Sequence, residues 1–229
     1  MELDFRIKMN ERLYLRDPDL SVLGKKIVKH GLELIIKLGF EDFTFKKLAL
    51  TINTTEASIY RYFENKHRLL TYLVSWYWSY TEQKMIFYTN NLSSPEEKLK
   101  KILALLAAPV LDNPNSDFIS EKLAYELVMS ESSKAYLTKH VSSDNKDKFF
   151  KPYKDLCARI ASLILEFNPK YEFAHSLATT IIETSHFQKY FMRHLPSLTD
   201  FGEDKNDKRL LQFLDKLIFE SIKSVSKKK

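Results

Sequence analysis

Two four-residue patterns in this chain have the composition of metal ligands. Glu172-Phe173-Ala174-His175 and Glu183-Thr184-Ser185-His186 are both Glu-x-x-His. Taken from facing helices, such pairs bind two metal ions in carboxylate helix bundles. Here both fall in one helical pattern, eleven residues apart, or about 16 Å along a helix axis. They cannot meet at one dinuclear centre within the chain. Polar groups on a helix surface or in a pocket are expected instead, with no metal and no cofactor. Catalysis finds no better support elsewhere. The one cysteine, Cys157, lies in the amphipathic stretch DLCARIASLIL, where a buried, inert thiol is expected. No nucleophile stands at a useful spacing from a base, so no enzymatic activity is expected.

A different chemistry is written between residues 44 and 70, TFKKLALTINTTEASIYRYFENKHRLL. Tyr60 and Tyr62 each offer a hydroxyl to a phosphate and a ring to a sugar or thymine methyl. Together they suit a clamp on a nucleic-acid backbone. Lys66 would pair with another phosphate. Thr44 opens a helix and offers its hydroxyl and the first backbone N–H groups to a third. Lys46 and Lys47 add longer-range attraction. Thr55, Glu56, Ala57 and Arg61, with Ser58 beside them, are candidates for reading base edges; Glu56 can accept from a cytosine amino group.

The charge distribution agrees. Net charge is +6 over 229 residues. Residues 21–68 carry nine basic and five acidic groups, and the 161 residues after them are nearly balanced at +3. A basic segment beside a neutral body suits a polyanion partner.

The elements that must hold these residues are helices. Four glycines and seven prolines are too few for a β-sandwich or a glycine-rich phosphate loop. Residues 1–19 read as a loose arm. Ser21 can cap a first helix carrying Ile27, Gly31, Leu34 and Leu38 at helical spacing, and Gly39 stands at its C-cap. Thr44 caps a second, with Leu48, Ala49 and Ile52 inward. Asn53 tolerates the left-handed turn that follows. Thr54 or Thr55 opens a third helix that buries Ile59 and Phe63, and a fourth runs from about Lys66 to Asn90. Two short helices joined by a tight turn form a helix-turn-helix, whose second helix enters the DNA major groove. Further helical patterns lie near 95–108, 117–130, 145–167, 169–194 and 205–226. Asn168-Pro169 marks a restart, and Leu210, Leu214, Leu217, Ile218 and Val225 keep close to a heptad stripe. The whole reads as all-α: a three-helix head on a larger helical bundle, with residues 1–66 as arm and head and 67–229 as body. No apolar run is long enough to span a bilayer and the N-terminus has no signal-peptide core. One cysteine rules out an internal disulfide framework. A cytoplasmic protein is expected.

The 44–70 stretch resembles the DNA-binding head of the TetR-type transcriptional regulators. Thr44, Ala49, Asn53, Thr55, Ile59, Tyr60, Tyr62, Phe63, Lys66, Leu69 and Leu70 fill the places of that pattern, and the likeness covers about residues 22–72. Asn53-Thr54 departs from the usual Gly-Val at the turn. The resemblance implies a ligand-responsive regulator, most often a repressor. A symmetric homodimer, joined through the last two helices, would bind a palindromic double-stranded DNA operator. Middle helices would enclose a small-molecule effector; among their aromatic and polar residues Trp76, Tyr125 and His186 are candidates. Two rival readings stay open: an all-α metal-dependent enzyme using the Glu-x-x-His pairs, and a helical interaction module that has lost DNA binding.

Overall fold

A computed structural model describes residues 7–110, 119–201 and 207–223. Among them there is no strand, and the architecture is all-α. The α-helices are α1 (Val22–Leu38), α2 (Phe45–Thr51), α3 (Glu56–Tyr60), α4 (Lys66–Thr89), α5 (Pro95–Ala107), α6 (Glu121–Glu131), α7 (Ser133–Tyr136), α8 (Val141–Lys146), α9 (Lys151–Phe167), α10 (Ala174–His194) and α11 (Asp207–Lys223). The chain divides into two compact units, residues 1–81 with 110–153, and residues 82–109 with 154–229.

The first unit holds the head. Ser21 caps α1 by accepting from the Gly24 N–H. Its buried stripe is Ile27, Val28, Gly31, Leu32 and Ile35, so the inward face lies slightly off Leu34 and Leu38. Gly39 ends the helix at φ 79°, a conformation glycine adopts without penalty. Thr44 and Thr55 cap α2 and α3, and Asn53 takes φ 51° in the turn between them. Phe45, Leu48, Ala49, Ile59 and Phe63 close the small core, and Ile52 is half-buried.

The N-terminal segment is not the loose arm its composition suggests. Ile7, Met9 and Leu13 are buried. One 3-10 turn spans Glu11–Leu13 and a second Pro18–Leu20. The second seats on α1 at Gly24, where a Cβ would lie 2.3 Å from the Pro18 carbonyl oxygen. Apolar burial won over a local sequence with little helical periodicity. The first turn of α4 is tied down as well. Arg68 bonds the buried Asp144 carboxylate at 3.1 Å and lies over the Phe149 ring.

The expected 145–167 helix is broken in two. Lys148 adopts φ 63°, which ends α8, and α9 restarts at Lys151 with Pro152 in its first turn. Among the second unit's elements, α5, α10 and α11 pack on one another. Leu103 and Leu106, Ile181 and Ile182, and Leu210, Leu214, Ile218 and Ile222 are buried there. Asn168-Pro169 does not start α10, which begins at Ala174. Asn168 instead folds a turn, accepting from the Lys170 N–H and donating to the Ile222 carbonyl. Val225 lies outside the described residues.

Candidate nucleic-acid interface

Helix α3 is five residues long and gains little stability from its own hydrogen bonds. It is held by its cap and by Ile59, which is fully buried. Thr55 Oγ1 accepts from the Ser58 N–H at 3.2 Å and shares a hydrogen bond with Ser58 Oγ at 2.8 Å. Thr54 N–H donates to the Ala49 carbonyl at 2.9 Å and closes the turn. With Ile59 inward, Thr55, Ala57, Tyr60 and Arg61 are exposed, and Glu56 and Ser58 half-buried. Tyr60 keeps 47% of its surface while its ring meets the Phe45 ring edge-on at 5.1 Å. That contact packs the ring against α2 while nearly half of the residue stays exposed.

On α2, Thr44 is exposed and its hydroxyl accepts from the Lys47 N–H. Lys46 and Lys47 are exposed, and the Lys47 ammonium donates to the Asp42 carbonyl at 2.7 Å.

Two of the expected contacts are placed otherwise. Tyr62 is only 3% exposed. Residues two apart at a helix end do not share a face, so Tyr62 turns inward where Tyr60 turns out. Its hydroxyl bonds Ser21 Oγ at 2.8 Å, its carbonyl accepts from the Leu15 N–H at 2.8 Å, and the Arg16 guanidinium lies over its ring. Tyr60 and Tyr62 therefore do not form a paired surface clamp: Tyr60 is exposed and Tyr62 is buried. Lys66 is half-buried, and its ammonium donates to the carbonyls of Phe40, Glu41 and Phe43 at 2.9, 2.9 and 3.2 Å. It staples the loop ahead of α2, and those carbonyls compete with any phosphate. Sequence pattern marks both residues because they fit the motif; it does not say which way they point.

This head has a match. Residues 27–73 fit the model of the bacterial regulatory proteins of the tetR family. The first unit's helix-turn-helix is thus similar to the head of the TetR-type regulators. Solved structures share the fold of most of the chain. FadR, a fatty acid degradation regulator from Bacillus halodurans, is 18% identical with a TM-score of 0.58, over 83% of this chain and 96% of its own. AibR in complex with isovaleryl coenzyme A and operator DNA is 13% identical with a TM-score of 0.59, over 85% and 98%. A TetR transcriptional regulator from Legionella pneumophila is 22% identical with a TM-score of 0.56, over 86% and 97%. At these identities the likeness establishes the fold. No curated protein matches the sequence.

The remaining candidates are dispersed. Trp76 is half-buried and stacks on Tyr80 at 5.2 Å. Tyr125 is buried, its ring 6.3 Å from that of Tyr77. His186 is buried on α10, bonded through Nδ1 to the Ile182 carbonyl, and burial pushes its pKa down to about 4. In the second unit a groove of about 640 Å³ opens between the end of α4 and α9. Glu82, Lys98, Asp155, Arg159 and Glu166 supply its charges, and none of Trp76, Tyr125 and His186 lines it. The Glu-x-x-His pairs form no centre: Glu172 sits in the turn before α10, and His175 is exposed. Among the described residues, no three His, Cys, Asp or Glu side chains are grouped to hold a metal, and no helix is long and apolar enough to cross a membrane.

Proposed function

We propose that this chain is a transcriptional repressor that binds a palindromic DNA operator as a homodimer and is released by a small molecule. Residues 1–66 would supply the DNA-binding part and 67–229 the effector-binding and dimerising part. The observation that carries the reading is the coincidence of the tetR-family match with a capped α3 whose Thr55, Ala57, Tyr60 and Arg61 stand exposed. Tyr60 contacts a phosphate or sugar; Arg61 and Thr55 face base edges, and Glu56 and Ser58 lie at their margin. Thr44, Lys46 and Lys47 position the head on the backbone.

One head reaches only a few base pairs, so specificity needs two at a fixed spacing. Exposed Phe187 and Leu195, on and just after α10, and Phe213 on α11 support a dimer face on the last two helices. The groove of charged side chains supports a polar, ionic effector rather than a hydrocarbon. Release follows if the effector binds better to a head spacing that does not fit the operator.

The test is selection of binding duplexes from a random pool by the purified protein, followed by titration of the enriched duplex. Tyr60→Ala with Arg61→Ala is expected to weaken binding at least about tenfold, since each good base contact is worth about 1–3 kcal/mol. Failure to enrich any sequence would remove the regulator reading.

A further inference from the structure

The backbone just before α1 runs beside the end of α3. The Leu15 N–H donates to the Tyr62 carbonyl at 2.8 Å, and the Arg16 guanidinium sits 5.4 Å from the Tyr62 ring centroid. Ser21, the cap of α1, shares a hydrogen bond with the Tyr62 hydroxyl. Three contacts from one segment thus converge on the residue that follows Arg61. Tyr62 acts as the post to which this segment is tied.

What the segment displays there is unusual for a structural strap. Leu15, Leu20 and Val22 are 67%, 71% and 75% exposed. Arg16 is exposed and forms no ion pair among the described residues. The other arginine of the segment, Arg12, is occupied by Asp147. The acidic neighbours of Arg16 are turned to other work. Asp17 caps the Pro18–Leu20 turn through the Asp19 N–H, and Asp19 accepts from the Tyr72 hydroxyl at 3.2 Å; both are half-buried. Arg16 is therefore an exposed cation without an ion pair among the described residues, next to the exposed Leu15 and within one side chain's reach of the α3 terminus.

We propose that Leu15 and Arg16 form a second strip of the DNA-binding surface. Arg16 contacts a backbone phosphate beside the one reached from Tyr60, and Leu15 lies against the adjoining sugar. This rests on the DNA-binding reading above and extends it to a segment outside the helix-turn-helix. A phosphate suits a guanidinium with free donors, and such a contact fixes register without reading sequence. Tyr62 is a positioning residue: it holds the strip and touches no DNA.

The experiment uses the full chain and the duplex enriched by the parent protein. Parent, Arg16→Ala, Arg16→Lys and Arg61→Ala are titrated across a potassium chloride series, with hydroxyl-radical footprints. Arg16→Ala is expected to bind about tenfold more weakly near 0.1 M salt, with a salt slope lower by about one per head, and to lose protection at one edge of each half-site. Arg16→Lys is expected to keep the slope. A purely structural Arg16 would shift the melting temperature and leave the slope unchanged. The proposal is overturned if Arg16→Ala keeps the parent's slope and footprint while Arg61→Ala loses affinity; the DNA-binding reading then stands without it. If the parent enriches no duplex, both fall together.

Discussion

His186 is neutral inside α10 because burial leaves no water to solvate its charged form, and Lys189 adds repulsion. A histidine whose folded pKa is lowered contributes stability that is present above its unfolded value near 6.5 and is lost as pH falls toward 4. Between pH 7 and pH 5 the loss is about 2 kcal/mol. Urea melts at the two pH values should show that drop for the parent and a smaller one for His186→Gln. Asn53 poses a backbone question instead. At φ 51° it occupies the left-handed region, where an alanine costs about 1–2 kcal/mol. Asn53→Ala should lower the unfolding free energy by about that amount and Asn53→Gly should change it little, as read by thermal or urea melts.

At the scale of elements, the loop Gly39–Phe43 decides where α2 begins, and three side chains from outside the helix-turn-helix hold it. Glu131, at the end of α6, accepts from the Phe40 N–H at 3.2 Å. Lys134 on α7 bonds Glu131 at 2.9 Å and Glu41 at 3.4 Å, and the Glu131 hydrogen bond raises the Lys134 pKa. Lys66 takes the loop's carbonyls from the α4 side. Glu131→Ala leaves the Phe40 N–H without its acceptor, a loss of about 1–3 kcal/mol. Glu131→Gln keeps the acceptor and should retain most of that stability. Urea unfolding of the two variants separates the hydrogen bond from the charge. An equal loss in both would assign the effect to the ion pair with Lys134.

For the whole molecule, the exposed rings of Phe187 and Phe213 belong to the last two helices, where dimerisation is proposed. A charge placed in a buried apolar interface carries a large desolvation penalty. Phe187→Glu should therefore give a monomer by light scattering at concentrations where the parent is a dimer. It should also lose operator affinity steeply, since one head alone contacts few base pairs. A parent that is itself monomeric at tens of micromolar would remove the symmetric-operator reading.

Much of this was legible in the chain. The caps Ser21, Thr44 and Thr55, the left-handed Asn53, the C-cap Gly39 and the inward Ile59 and Phe63 all follow from local rules of backbone geometry and helical period, and they suffice to identify the head. Local rules fail where a contact is made far along the chain. Lys66 carries the charge of a phosphate ligand, but carbonyls some 25 residues earlier claim it. Tyr62 fits the motif and turns inward because Ser21 and Leu15 meet it there. The N-terminal segment reads as loose because its order comes from Gly24, Tyr62 and Asp147 rather than from its own periodicity. By itself the sequence determined the all-α class, the helices and caps of the head, and the kind of head they build, but not the breaks between α6 and α10. Tertiary structure alone decided which polar side chains face out, because direction at a helix end is set by the partners that packing brings to it.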